Sequence, residues 1–181
     1  MSKVIYKEEQ KFGQPWIWMI IIPVNMASLL FFAFGFNEQL IDGKAFGDNP
    51  MPNVELIIAG IVTLISMIGL TILFYKMKLV VEIQKDGIHF RYPPMINKFK
   101  VILKEEIDRF EVREYKPIAE YGGWGIKKGT KKYGKAYNVR GKLGLQLYLK
   151  NNSKVLFGTQ RKSAIADATN KMMNSALESP I

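Results

Sequence analysis

The chain has 181 residues, 48% of them hydrophobic, and a formal charge of +10 at neutral pH. It contains no cysteine, which excludes disulfides, thiolate metal sites and cysteine nucleophiles together. Charge is uneven: residues 76–181 hold 22 Lys and Arg against 10 Asp and Glu, whereas the long apolar runs lie before residue 76.

Residues 1–14, MSKVIYKEEQKFGQ, read as a short polar N-terminal arm. PWIWMIIIPVNMASLLFFAFGF, residues 15–36, then runs without a charge between Lys11 and Glu38, a first membrane-span candidate. A cleaved signal peptide fits it poorly: the run is long, Glu8 and Glu9 spoil a basic leader, and no A-x-A site follows. Pro23 predicts a kink near residues 19–23. Asn25 reads either as a ligand site or as a structural hydrogen bond to a neighbouring span or to the carbonyl that Pro23 frees. The structural reading is preferred, because no second polar or charged residue accompanies it.

LIIAGIVTLISMIGLTILFY, residues 56–75, holds twenty residues without a charge. At 1.5 Å per residue it spans roughly 30 Å, the thickness of a bilayer's hydrocarbon core. Its Leu, Ile, Val and Phe contribute roughly −6 kcal/mol on the insertion scale. The alternative, a buried helix of a soluble protein, rarely runs this long with no polar face. Trp16, Trp18, Phe74 and Tyr75 sit where interfacial aromatics belong. The linker at about residues 37–54 is short, acidic on balance and holds only Lys44, whereas Lys3, Lys7, Lys11, Lys76 and Lys78 flank the outer ends of the two spans. The positive-inside rule therefore predicts a multi-pass protein of the inner (cytoplasmic) membrane, a hairpin over residues 15–76 with its loop outside and both termini cytoplasmic.

From Lys78 the period changes to that of a strand. LVVEIQ alternates, Asp86-Gly87 is a hairpin signal, and Ile88, Phe90 and Tyr92 alternate against His89 and Arg91 up to Pro93-Pro94. FKVIL predicts Phe99, Val101 and Leu103 on one face, an irregular turn is expected near Glu105, and another strand runs to Tyr115. Leu143, Leu145, Leu147 and Leu149 mark the cleanest strand, and Asn151-Asn152 turns into KVLFGT. Ile165, Ala168, Met172 and Ala176 then recur at helical spacing, with Ser163 as the expected N-cap. Residues 77–181 thus form an α+β, mainly β domain: about seven antiparallel strands closed by a C-terminal helix.

Lys127, Lys128, Lys131, Lys132, Lys135, Arg140 and Lys142 occur without an acid among them, interleaved with Trp124, Tyr133 and Tyr137. They are the candidate anionic-surface residues, with lipid head groups as the nearest target. The bland alternative is a solvated loop that obeys topology statistics. Nucleic acid suits the composition too, but no matching motif accompanies it. Gly122, Gly123, Gly125, Gly129 and Gly134 lack the P-loop spacing and read as turns and bulges. His89, the single histidine, alternates outward without a second metal ligand and reads as a surface residue. Glu105, Glu106 and Asp108 read as a solvated turn. No catalytic, metal-binding or cofactor-binding residue set emerges, so no enzyme and no cofactor is expected.

The phrases YGGWGIKKG, AYNVRGKLGLQLYL and LFGTQRK, together with the two spans, resemble bacterial membrane proteins that carry two N-terminal spans and a C-terminal pleckstrin-homology-like (PH-like) domain. The resemblance covers nearly the whole chain and implies a PH-like fold without established catalytic residues. Two functions stay open: a non-catalytic module that binds anionic lipid or a protein partner at the membrane, and a structural subunit of a membrane complex, homo-oligomeric or otherwise.

Overall fold

The structure, a computed structural model, describes residues 3–130 and 132–175. The chain forms two compact units: residues 13–75, and the residues on either side, up to Phe12 and from Lys76 onward.

The first of these is a helical hairpin. Helix α1 (Pro15–Phe36) begins on a proline, whose missing N–H costs nothing in a first turn, and continues into a π-helical turn over Asn37–Ile41. Helix α2 (Asn53–Lys76) has Glu55 in its first turn and Lys76 in its last, each favourable to the helix dipole. Both are long and apolar enough to cross a membrane, and only 11% of either apolar window is buried. A core helix of a soluble protein would be mostly covered, so the exposure favours a lipid-facing pair. Helix α1 continues through Pro23. Asn25 donates from Nδ2 to the Ile21 carbonyl at 2.6 Å, closing its own preceding turn rather than reaching α2 or the carbonyl of Met19 that Pro23 leaves free. Gly60 of α2 is the close-packing point; a Cβ there would stand 2.5 Å from the Phe36 ring. The linker is tied down: Gln39 Nε2 donates to the Met51 carbonyl, and the Phe46 ring lies against Gly35 and Phe31.

The second unit holds nine strands and two α-helices among the described residues. Its first sheet is ordered β1 (Val4–Lys11), β2 (Lys78–Gln84), β3 (Gly87–Tyr92), β4 (Ile96–Leu103). A 3₁₀ turn over Lys104–Glu106 leads to the second sheet, which uses β5 (Ile107–Glu114), β6 (Gly125–Lys128), β7 (Lys135–Asn138), β8 (Leu143–Leu149) and β9 (Lys154–Gly158) in the order β5-β8-β9-β7-β6. Helix α3 (Pro117–Tyr121) sits between β5 and β6, and α4 (Lys162–Asn174) ends the described chain. The expected core is in place: Leu145, Leu147, Ile165 and Met172 are fully buried. Ala176 lies outside the described residues.

Four expectations change. The polar arm is strand β1, antiparallel to β2 from Val4↔Gln84 to Lys11↔Lys78. Its inward residues are Tyr6, Glu8 and Gln10, so its buried face is largely polar and escapes an apolar count. The strands are not all antiparallel, because β7 runs parallel to β9. On β4, the pairs Ile88↔Ile102 and Phe90↔Lys100 put Lys100 and Ile102 on the inner face. Phe99, Val101 and Leu103 share a face as expected, but it is the outer one, where each is at least 40% exposed. Helix α4 starts one residue before Ser163, capped from Arg161; there the Thr159 hydroxyl accepts the Arg161 N–H.

Glu8, only 5% exposed, binds β1 to the end of β9. Its carboxylate accepts from Tyr6 Oη, from Thr159 Oγ1 at 2.7 Å and from the Gln160 N–H at 2.8 Å. Glu8→Ala leaves the two distant donors unpaired in a buried site, a loss of about 1–3 kcal/mol. Hydrogen exchange on the full-length protein in neutral detergent should then quicken first at the amides of β1. Unchanged protection there would show that the Glu8 clasp does not hold the strand.

Candidate functional site

The segment at residues 121–142 is organised by α3. Pro117 opens that helix and Gly122, at φ 71°, closes it. Arg113 of β5 grips it, donating from Nη2 to Glu120 Oε2 at 2.7 Å and to Gln146 Oε1 at 3.1 Å. Burial pushes the Glu120 carboxyl up, but hydrogen bonds from Arg113 and from the Lys116 N–H outweigh it and hold the group below its ordinary range. Beyond α3 the chain forms the β6–β7 hairpin. Gly134, at φ 78°, lies so close to the Lys154 carbonyl that no Cβ fits. The glycines thus serve turns and close approach, as the spacing suggests.

The six of the seven predicted cations that are described do not form one patch. The register Lys128↔Lys135 puts these two directly opposite each other on one face, beside Ile126↔Tyr137. Lys127, opposite Ala136, points to the other face. Lys132 is exposed in the turn, its ammonium 5.3 Å above the Tyr133 ring. Lys131 lies outside the described residues. Arg140 and Lys142 lie beyond the far end of β7, whose length carries the chain roughly 10 Å from Lys135 at the ordinary strand rise. Trp124 belongs with them, its Nε1 donating to the Gly141 carbonyl at 3.1 Å.

Two separate basic features result. One is an end surface made by Trp124, Arg140 and Lys142. Contacts link it toward Lys78 at the start of β2: Gln160 Nε2 donates to the Arg140 carbonyl, Tyr92 Oη to the Asn138 carbonyl, and the Lys78 N–H to the Pro93 carbonyl. The other is a cleft of about 600 Å³ between β3–β4 of the first sheet and β6, β7 and β9 of the second. Lys128 and Lys135 line it, and so do Lys100 and Lys154, which the charge run at residues 127–142 does not contain. Lys154 Nζ donates to the Lys132 carbonyl at 2.9 Å. Only the pairing of β4 with β3 brings Lys100 there, a non-local fact that no sequence window carries. His89, expected at the surface, is half-buried with Nε2 3.0 Å from Asp86 Oδ2, so it is committed to the β2–β3 turn.

Comparison of the chain with family models, with curated proteins and with solved structures finds no match.

The Arg113–Glu120 pair predicts a pH dependence. A carboxyl held low in the folded state stabilises it above the ordinary carboxylate pKa, and that contribution is lost as pH falls through the folded value. Glu120→Gln should therefore destabilise the protein at pH 7 by about 1–3 kcal/mol. The gap to wild type should close on acidification below about pH 4. Denaturant titrations at the two pH values measure it, and a gap that stays constant would remove the ion pair from the account.

Proposed function

We propose that the protein is a non-catalytic, membrane-anchored PH-like module that engages anionic lipid head groups through the end surface of Trp124, Arg140 and Lys142. One observation carries this reading. Strand β1 precedes the first span and β2 follows the second, yet the two pair along their lengths. A hairpin whose two flanks share one sheet enters and leaves the bilayer on the same side. Lysine placement supports the cytoplasmic face of the inner membrane for that side.

The end surface is linked by contacts to the start of β2 at Lys78, and few residues of chain separate Lys11 and Lys78 from α1 and α2. Arg140 and Lys142 are exposed and Trp124 is partly covered, a composition suited to an interfacial contact. Two packed sheets with a terminal helix over them support the PH-like assignment. A second reading, a structural subunit with a protein partner, draws on the outer face of edge strand β4, where Phe99, Val101 and Leu103 are exposed together.

The test uses full-length protein reconstituted in phosphatidylcholine bilayers with a trace of spin-labelled lipid. Spin-labelled phosphatidylglycerol should be enriched in the motionally restricted shell over spin-labelled phosphatidylcholine, and added salt should reduce the preference. Arg140→Gln with Lys142→Gln should weaken it by up to about thirtyfold, from about 1 kcal/mol per cation. Equal restriction of the two lipids, or a preference that the double variant leaves intact, would retire the lipid reading and favour the assembly reading.

A further inference from the structure

The cleft between the sheets has no part in that surface contact, and its chemistry is different. Lys100, Lys128, Lys135 and Lys154 line it, and no carboxylate does. Among the described residues, no acidic side chain pairs with Lys100, Lys128 or Lys135. Lys128 and Lys135 face each other directly across two strands, an arrangement that costs stability unless an anion lies between or beside them. Ile102, Leu149 and Val155 supply apolar wall, and the polar side chains of Thr130, Asn152 and Ser153 also line the cleft. Tyr137 also lines it, is 8% exposed, and its hydroxyl has no hydrogen-bond partner among the described residues. Its ring stacks on Phe157 and packs 4.7 Å from Phe90, so the core of the unit fixes this wall of the site.

We propose that this cleft binds a phosphate monoester carrying an apolar substituent. The phosphate dianion is held by Lys100, Lys128, Lys135 and Lys154 with a donor from Tyr137, and the first carbons of the substituent lie on Ile102, Leu149 and Val155. Four cations suit a dianion better than a singly charged carboxylate, because each uncompensated ammonium raises the cost of the others. The walls explain why a bare anion is an incomplete occupant: about 600 Å³ is the size of a small organic ligand's site, and water against these walls gains little. An inward Lys on an edge strand also discourages edge-to-edge pairing, and the experiment separates that role from binding.

Full-length protein in phosphatidylcholine nanodiscs is titrated calorimetrically with hexyl phosphate, inorganic phosphate and hexanol, against empty nanodiscs. Hexyl phosphate should bind at one site per chain, at least tenfold more tightly than inorganic phosphate, and hexanol should give no saturable heat. Lys128→Gln with Lys135→Gln should weaken hexyl phosphate at least tenfold without lowering the melting temperature of the free protein. Arg140→Gln with Lys142→Gln should leave it unchanged. Equal binding of hexyl phosphate and inorganic phosphate overturns the amphiphilic occupant. No saturable binding, or full binding by the Lys128/Lys135 variant, overturns the site and leaves edge protection as the role of Lys100. A lysophosphatidic acid arm separates the sources: binding much tighter than hexyl phosphate assigns the occupant to the bilayer, and equal binding assigns it to a soluble phosphate ester. The result does not depend on the phosphatidylglycerol preference, which reports on other residues.

Discussion

The first sheet of the β-rich unit depends on a pairing made across the helical hairpin. Strand β1 lies before α1, and its partner β2 begins only after α2. The first sheet is therefore incomplete until both helices have been made and the chain has come back. Loop closure over such a separation costs only a few kcal/mol more than over a short loop, since the cost grows with the logarithm of length. That cost is met by seven register pairs and by the Glu8 clasp to Thr159 and Gln160. The clasp also reaches the other sheet, so the same short strand joins the two layers.

That strand shows where sequence reading loses information. Its inward positions alternate properly, but they are Tyr6, Glu8 and Gln10, and an inward glutamate looks like solvent exposure until its partners are known. Those partners lie some 150 residues away in the chain. The elements legible in advance are the ones whose code is local: the two long apolar helices, the Asp86-Gly87 hairpin, the leucine alternation of β8 and the 3.6-residue stripe of α4. Strands β6 and β7 are only four residues each and lie among glycines, so neither period nor propensity marks them. The parallel pairing of β7 with β9 is a matter of topology rather than of pattern.

Strand β4 is a subtler case. Its apolar residues do alternate, and the face they define is real, but the register set by β3 turns that face outward. Which face of a strand is buried follows from its register with the neighbouring strand, and apolar alternation alone does not say which way the apolar face turns. Lys100 then points inward at the open margin of the sheet, next to Phe90, where its stem can lie on apolar surface and its ammonium can reach the cleft. The residue that looked like one side of an ordinary amphipathic strand is thus part of the candidate site, and the apolar triplet is part of the outer surface.

The basic stretch divides for a simple geometric reason. A run of charges along a sequence becomes a patch only if the chain doubles back at the right spacing. Here the β6–β7 hairpin brings Lys128 to Lys135, the pleat sends Lys127 to the other face, and the length of β7 carries Arg140 and Lys142 away. The length of β7 alone, roughly 10 Å, exceeds the screening length of about 8 Å at physiological ionic strength. The two basic features therefore act as separate electrostatic sites. A head group at the Trp124 end does little to relieve the repulsion between Lys128 and Lys135, and an anion in the cleft leaves the potential at Arg140 nearly unchanged. The occupant proposed for the cleft is therefore its own, with charge toward the four lysines and carbon toward Ile102, Leu149 and Val155.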